Sequence, residues 1–138
     1  MKHKSNKVTK QCQVLLYNAI EVKIMAKYEK RLAVQFDDFL DYLHKQILAS
    51  SISATLEDGS DYNFGEVACS VRVYERYSII GSNRLSLSIT LFGKDGDVFL
   101  TAITAGGSQA VLFKINTFGE ENFLSELKSI VKRYEAKH

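Results

Sequence analysis

Proline is absent from this chain of 138 residues, cysteine occurs only twice, and glycine, at eight, is confined to a few turn-like clusters. With no proline, no internal repeat and no low-complexity tract, nothing divides the chain. Its length suits one domain that buries most of its apolar surface without staples. Cys12 and Cys69 stand far apart with no CxxC spacing, which excludes the usual zinc and dithiol motifs. They read as two free thiols in a reducing cytosol, a Cys12–Cys69 disulfide being the alternative. A long apolar run is also missing. The stretch Val14 to Ile20 is interrupted by Asn18 and stopped by Glu21, too short and too polar for a signal peptide or a membrane span. No N-x-S/T acceptor occurs, in keeping with a cytoplasmic protein.

Charge of one sign is scarce as well. The net charge is +2, unevenly placed: residues 1–30 carry seven lysines against two glutamates, and the remainder is mildly acidic. An acidic body argues against general nucleic-acid affinity. The basic arm over residues 1–24, with Lys2, Lys4, Lys7 and Lys10, precedes a single domain expected over 25–138. Its lysines resist burial and its apolar residues keep no sustained period. Deleting residues 1–24 is therefore expected to leave the melting temperature unchanged. A drop of several degrees, about what losing 1 kcal/mol does to a domain of this size, would mean that the arm packs on the body.

What the chain does have is a set of β-rich runs from Val71 to Ile115, separated by Gly81-Ser82-Asn83, Gly93 to Gly96 and Gly106-Gly107. A three-residue first turn sets Tyr77 opposite Leu87 and Val73 opposite Leu91. A four-residue second turn sets Leu91 opposite Val98. A Gly-Gly hairpin sets Leu100 opposite Phe113 and Ala102 opposite Val111. One face then holds Val71, Val73, Tyr77, Leu87, Leu91, Val98 and Leu100. The other holds Arg72, Tyr74, Arg76, Arg84, Ser86, Ser88 and Thr90, with Phe92 and Phe99 beyond them.

Around this meander, Arg31 to Phe36 alternates like a first strand. A helix is expected from Asp37 to about Ser50, with Phe36, Phe39, Leu40, Leu43 and Ile47 as its stripe. Ile52 to Leu56 reads as a short strand and Glu57 to Gly65 as a turn-rich loop. Thr117 to Glu120 matches a capping box, opening a last helix to about Tyr134 whose stripe is Phe123, Leu124, Leu127, Ile130, Val131 and Tyr134. The fold class is α+β: an antiparallel meander sheet of five or six strands with an N-terminal and a C-terminal helix packed on one face. Two helices cover one face and leave the other open.

Catalytic motifs are absent from the sequence. His44 flanks the helix stripe with no G-x-S-x-G turn nearby. Glu75, by the register above, points into the core, where a carboxylate needs a partner or a raised pKa. Together Glu75 and His44 define an alternative reading, a small enzyme or ligand carrier with a pocket between helices and sheet. Gly106-Gly107-Ser108 precedes a strand instead of a helix, which makes it a turn and not a phosphate loop. No metal site and no cofactor is expected. The main reading is a non-enzymatic binding or interaction module that uses the open face, as a homodimer or with a protein partner. The residues engaged would be Arg72, Tyr74, Arg76, Arg84, Ser86, Ser88, Phe92 and Phe99. Their donors also suit a small anionic ligand. RNA binding on the same aromatic and basic residues is a weaker reading, since the RNP patterns are missing.

The strings VYERYS, SNRLSLSITL and ITAGGSQAVLFKINTFGEENFL resemble a family of small bacterial proteins known as a domain of unknown function. The resemblance covers about Arg31 to Tyr134. It implies a bacterial, intracellular, single-domain protein and carries no reaction, cofactor or catalytic residue.

Overall fold

A computed structural model describes residues 25–77, 84–106 and 116–138; of these, 25 and 116–122 are described in their backbone alone. Five strands form one antiparallel sheet: β1 (Met25–Ala33), β2 (Thr55–Phe64), β3 (Val67–Tyr77), β4 (Arg84–Lys94) and β5 (Asp97–Gly106). Their order across the sheet is β1-β5-β4-β3-β2. Two helices, α1 (Phe36–Ala49) and α2 (Asn116–Glu135), lie on one face. The arm over residues 1–24, the expected strand to Ile115 and the side chains of the capping box lie outside the described residues. Among the described residues, no helix is long and apolar enough to cross a membrane.

The helix stripes behave as their spacing predicts. Phe39, Leu43 and Ile47 of α1 are buried, as are Phe123, Leu124, Leu127, Ile130, Val131 and Tyr134 of α2. Each stripe meets the covered face of the sheet, where Leu32, Tyr74, Leu85, Leu87, Ile89, Leu91, Val98, Leu100 and Ala102 complete the core. Asp37 and Asp38 stand in the first turn of α1, where the helix dipole favours negative charge. The ring of Tyr134 lies against Phe39 and Tyr42, with centroids 5.0 Å and 4.9 Å away, and joins the two helices.

Several expected strand boundaries and pairings are corrected. The first strand is Met25–Ala33, earlier than Arg31 to Phe36, and it pairs with β5. Leu100 and Ala102 therefore face Lys30 and Tyr28 of β1 on one side and Leu91 and Ile89 of β4 on the other. Neither position is left for a hairpin with Phe113 or Val111. Glu57 to Gly65 is not a loop. Glu57 to Phe64 belong to β2, which starts at Thr55, and the chain turns at Gly65-Glu66, where Gly65 has φ +59°. Asp and Gly are poor strand formers, yet β3 pairs along β2 on both sides of an irregularity at Glu57, and all ten residues of β2 are exposed.

The β4–β5 turn has two residues, Asp95 and Gly96, with φ 52° and 78°, the type I′ geometry for which Asp-Gly is suited. Leu91 thus faces Leu100 instead of Val98. That shift of two residues keeps every side chain on its expected face. Gly93 belongs to the strand. A Cβ there would lie 2.7 Å from the Phe36 ring, so α1 approaches the sheet closely at this point because the residue is glycine.

The largest correction concerns β3. Tyr74, not Tyr77, faces Leu87, and Ser70, not Val73, faces Leu91. This displacement of three residues is odd, so every side chain of β3 changes face. Arg72, Tyr74 and Arg76 lie on the helix-covered side, while Val71, Val73, Glu75 and Tyr77 lie on the open side. Hydrophobicity misleads here because β3 sits toward the edge of the sheet, where the helix layer thins. Arginine stems pack along apolar surface there and carry their heads to acids at the rim. Arg72 makes a bidentate pair with Asp61, 2.8 Å on each arm. Arg76 reaches Glu126 of α2 at 2.6 Å and lies 4.0 Å over the Phe123 ring.

Candidate interaction surface

The open face is ordered by the sheet register into rows that cross all five strands. One row reads Arg31, Phe99, Phe92, Cys69, Tyr62. The next reads Glu29, Thr101, Thr90, Val71, Ser60. The third reads Lys27, Ile103, Ser88, Val73, Asp58. Toward the far end stand Ala105, Ser86, Glu75 and Thr55, and then Arg84 beside Tyr77. Strand alternation alone puts these residues on one face.

No helix among the described residues covers that face, and its aromatic row shows it. Phe99 is 43% exposed, Phe92 53%, Tyr62 64%, and Phe64 beyond it 75%. Four large rings aligned near one end of a sheet are more than scattered surface hydrophobics. Contiguous apolar patches of this kind mark interaction surfaces. Val71, Val73 and Ile103 continue the apolar surface inward and are half-buried.

Most charges of the face are paired with one another; among the described residues, Asp58 accepts only from the Gly59 backbone N–H. Arg31 grips Asp97 through two contacts of 2.7 Å and 2.5 Å. The Arg31 guanidinium holds the Asp97 carboxyl below the usual carboxylate range. Lys27 lies 3.1 Å from Glu29. Arg84 lies 3.0 Å from Glu75, with Glu57 further off at 3.9 Å. Among the described residues the arrangement offers hydroxyls, rings and mostly paired rim charges, and no cationic stripe.

The expected site residues divide accordingly. Arg84, Ser86, Ser88, Phe92 and Phe99 stand on the open face. Arg72, Tyr74 and Arg76 do not. Tyr74 is 1% exposed and donates to or accepts from His44 Nδ1 at 3.0 Å; burial pushes its hydroxyl up to about 12. With Arg72 and Arg76 committed to Asp61 and Glu126, the anion-binding reading loses two of its three arginines. The RNA reading loses Tyr74, Arg72 and Arg76 together.

Glu75 and His44 are likewise separated. Glu75 is on the open face with Arg84 as its partner, and His44 is on the helix side with Tyr74 as its partner. An acid–base pair of the two is ruled out, since proton transfer needs them within hydrogen-bond reach. The apolar and aromatic members of the face that sequence reasoning missed include Tyr62, Phe64, Cys69, Val71, Val73 and Tyr77, and β1 adds Lys27, Glu29 and Arg31. The Asp-Gly of the EDGSDYNFG stretch hid a strand, and the odd register shift hid those of β3.

Among curated proteins the chain has no match. Among solved structures it is similar to the protein of unknown function PA94 from Pseudomonas aeruginosa, at 22% identity and a TM-score of 0.42, with 59% of this chain and 58% of that one covered. The chain thus spans about 58% of that protein's length, and a likeness at this level assigns it no activity. Residues 25–135 match the family described as Family of unknown function (DUF6054), and the chain belongs to that family.

Proposed function

We propose that the protein is a non-enzymatic interaction module that works through the open face of its sheet, in a reducing cytoplasm where Cys12 and Cys69 stay as thiols. The row Phe99, Phe92, Cys69, Tyr62 carries this reading. Rings exposed to this degree on a paired sheet stay hydrated at a cost of about 25 cal/mol for each Å² of apolar surface until something covers them. The hydroxyl rows behind them supply hydrogen-bonding groups without the desolvation penalty of a charge.

The test is occupancy in the cell. Hydroxyl-radical labelling of Phe92, Phe99 and Tyr62 is compared between intact source cells and purified protein diluted to nanomolar concentration. Protection of these rings in cells, with the exposed Ile52 labelled equally in both, is the expected result. Equal labelling of the three rings in both settings would remove the reading.

A further inference from the structure

We infer that the occupant of the open face is a second copy of this chain, stacked sheet on sheet about a two-fold axis that runs along β4. The inference rests on the interaction-module reading and specifies its partner.

Three observations favour a second copy. The first is the chemistry of the central strand. In a face-to-face homodimer the two-fold axis lies between the sheets, so residues along it meet their own counterparts. A charge there would meet its like. The inner open-face positions of β4 are Ser86, Ser88, Thr90 and Phe92, all uncharged. Serine and threonine hydroxyls both donate and accept, so each can bond its own copy. A ring on the axis meets a ring.

The second observation is complementarity away from the axis. Rotation about β4 keeps each row over itself and exchanges the two sides of the sheet. Phe99 of one copy then lies over Cys69 of the other, and Ile103 over Val73. Arg31, held by Asp97, lies over Tyr62, a cation beside a ring. Lys27 of β1 lies over Asp58 of β2. These two exposed residues of opposite charge are at opposite edges of one sheet, four strands apart, and this rotation sets Asp58 of one copy beside the Lys27–Glu29 pair of the other. An axis across the strands would instead set Phe92 against Ser86 and Cys69 against Glu75.

The third is size. Five strands about 4.8 Å apart and about 33 Å long present about 800 Å². A stable interface of standard size takes about 800 Å² from each partner. The edge of the sheet is a poorer route. β2 has a register break between Leu56 and Asp58 and carries Glu57, Asp58 and Asp61, features that discourage strand addition by another copy. Each basic residue named on the face has an acid beside it, which favours a partner with charges of both signs over a polyanion.

The experiment uses the full chain and two variants, Lys27→Glu and Asp58→Lys, in sedimentation velocity. The wild type is expected to dimerise at micromolar concentration. Each variant alone places like charges at both symmetry-related contacts and should weaken its own dimer about tenfold, within the range of interfacial charge contacts. Mixing the two variants should restore wild-type affinity, because in the mixed dimer one contact is native and the other has its charges exchanged. Restoration on mixing supports the axis along β4; two weakened variants that stay weak when mixed overturn it. A wild type monomeric at 100 micromolar overturns the second copy. In that case protection of Phe92 and Phe99 in cells would still stand for the interaction module with a different occupant. Loss of both results would remove the module as well. Both substituted side chains are exposed, and circular dichroism checks that the variants fold.

Discussion

Tyr74→Ala lowers the free energy of unfolding by about 3–5 kcal/mol, the range for emptying a buried aromatic site. Tyr74 is among the largest fully buried side chains of the molecule and faces Leu87 in the middle of the covered sheet. Tyr74→Phe keeps the ring and removes only the hydrogen bond with His44, and costs about 1 kcal/mol. Urea denaturation of the two variants separates the contributions. The alkaline limb adds a second signature. The folded pKa of about 12 lies above the ordinary value of 10.0, so the folded state prefers the neutral phenol. Its stabilising contribution is fully present below pH 10 and is lost as the pH rises through 12. Tyr74→Phe has no such phenol and loses correspondingly less stability in that window. An alanine variant as stable as the wild type would mean that Tyr74 lies outside the core, as the sequence register had it.

Phe92→Asp weakens self-association more than about 100-fold, the effect of removing a central aromatic anchor from an interface. It leaves the monomer as stable as before to within about 0.5 kcal/mol. The two effects part because Phe92 is 53% exposed in the single chain and sits on the proposed axis, where the introduced carboxylates of the two copies would face each other. Denaturation at nanomolar concentration reports the monomer, and sedimentation reports the dimer. A variant that associates like the wild type would clear the open face of any role in dimerisation. A variant that unfolds would point to a structural role for the ring within one chain.

The contrast between these two aromatic residues explains how far the fold was legible beforehand. The helix stripes were readable because each meets a core on one side only, so their 3.6-residue period is unopposed. The faces of β4 and β5 were readable because a slip of two residues changes partners and preserves sides. The faces of β3 were not. Its alternate sets, Val71, Val73, Glu75, Tyr77 and Arg72, Tyr74, Arg76, differ little in apolar character once arginine stems count as hydrophobic. What decides between them is distant in sequence: Asp61 on β2, Glu126 on α2 and His44 on α1 receive the polar ends of the second set. That the two described helices share one face of the sheet was legible from two amphipathic stripes beside one meander. The aromatic row of the open face was only half legible, because Tyr62 and Phe64 come from a stretch whose aspartates and glycines read as a loop.

Sedimentation equilibrium of the wild-type chain from 1 to 100 micromolar, beside Phe92→Asp, bears most directly on the open face as a two-fold interface. The account predicts a wild-type mass rising to twice the 15.6 kDa of one chain, while Phe92→Asp stays at 15.6 kDa throughout. A wild type that remains at 15.6 kDa across the range, or a variant that dimerises with it, would contradict the account.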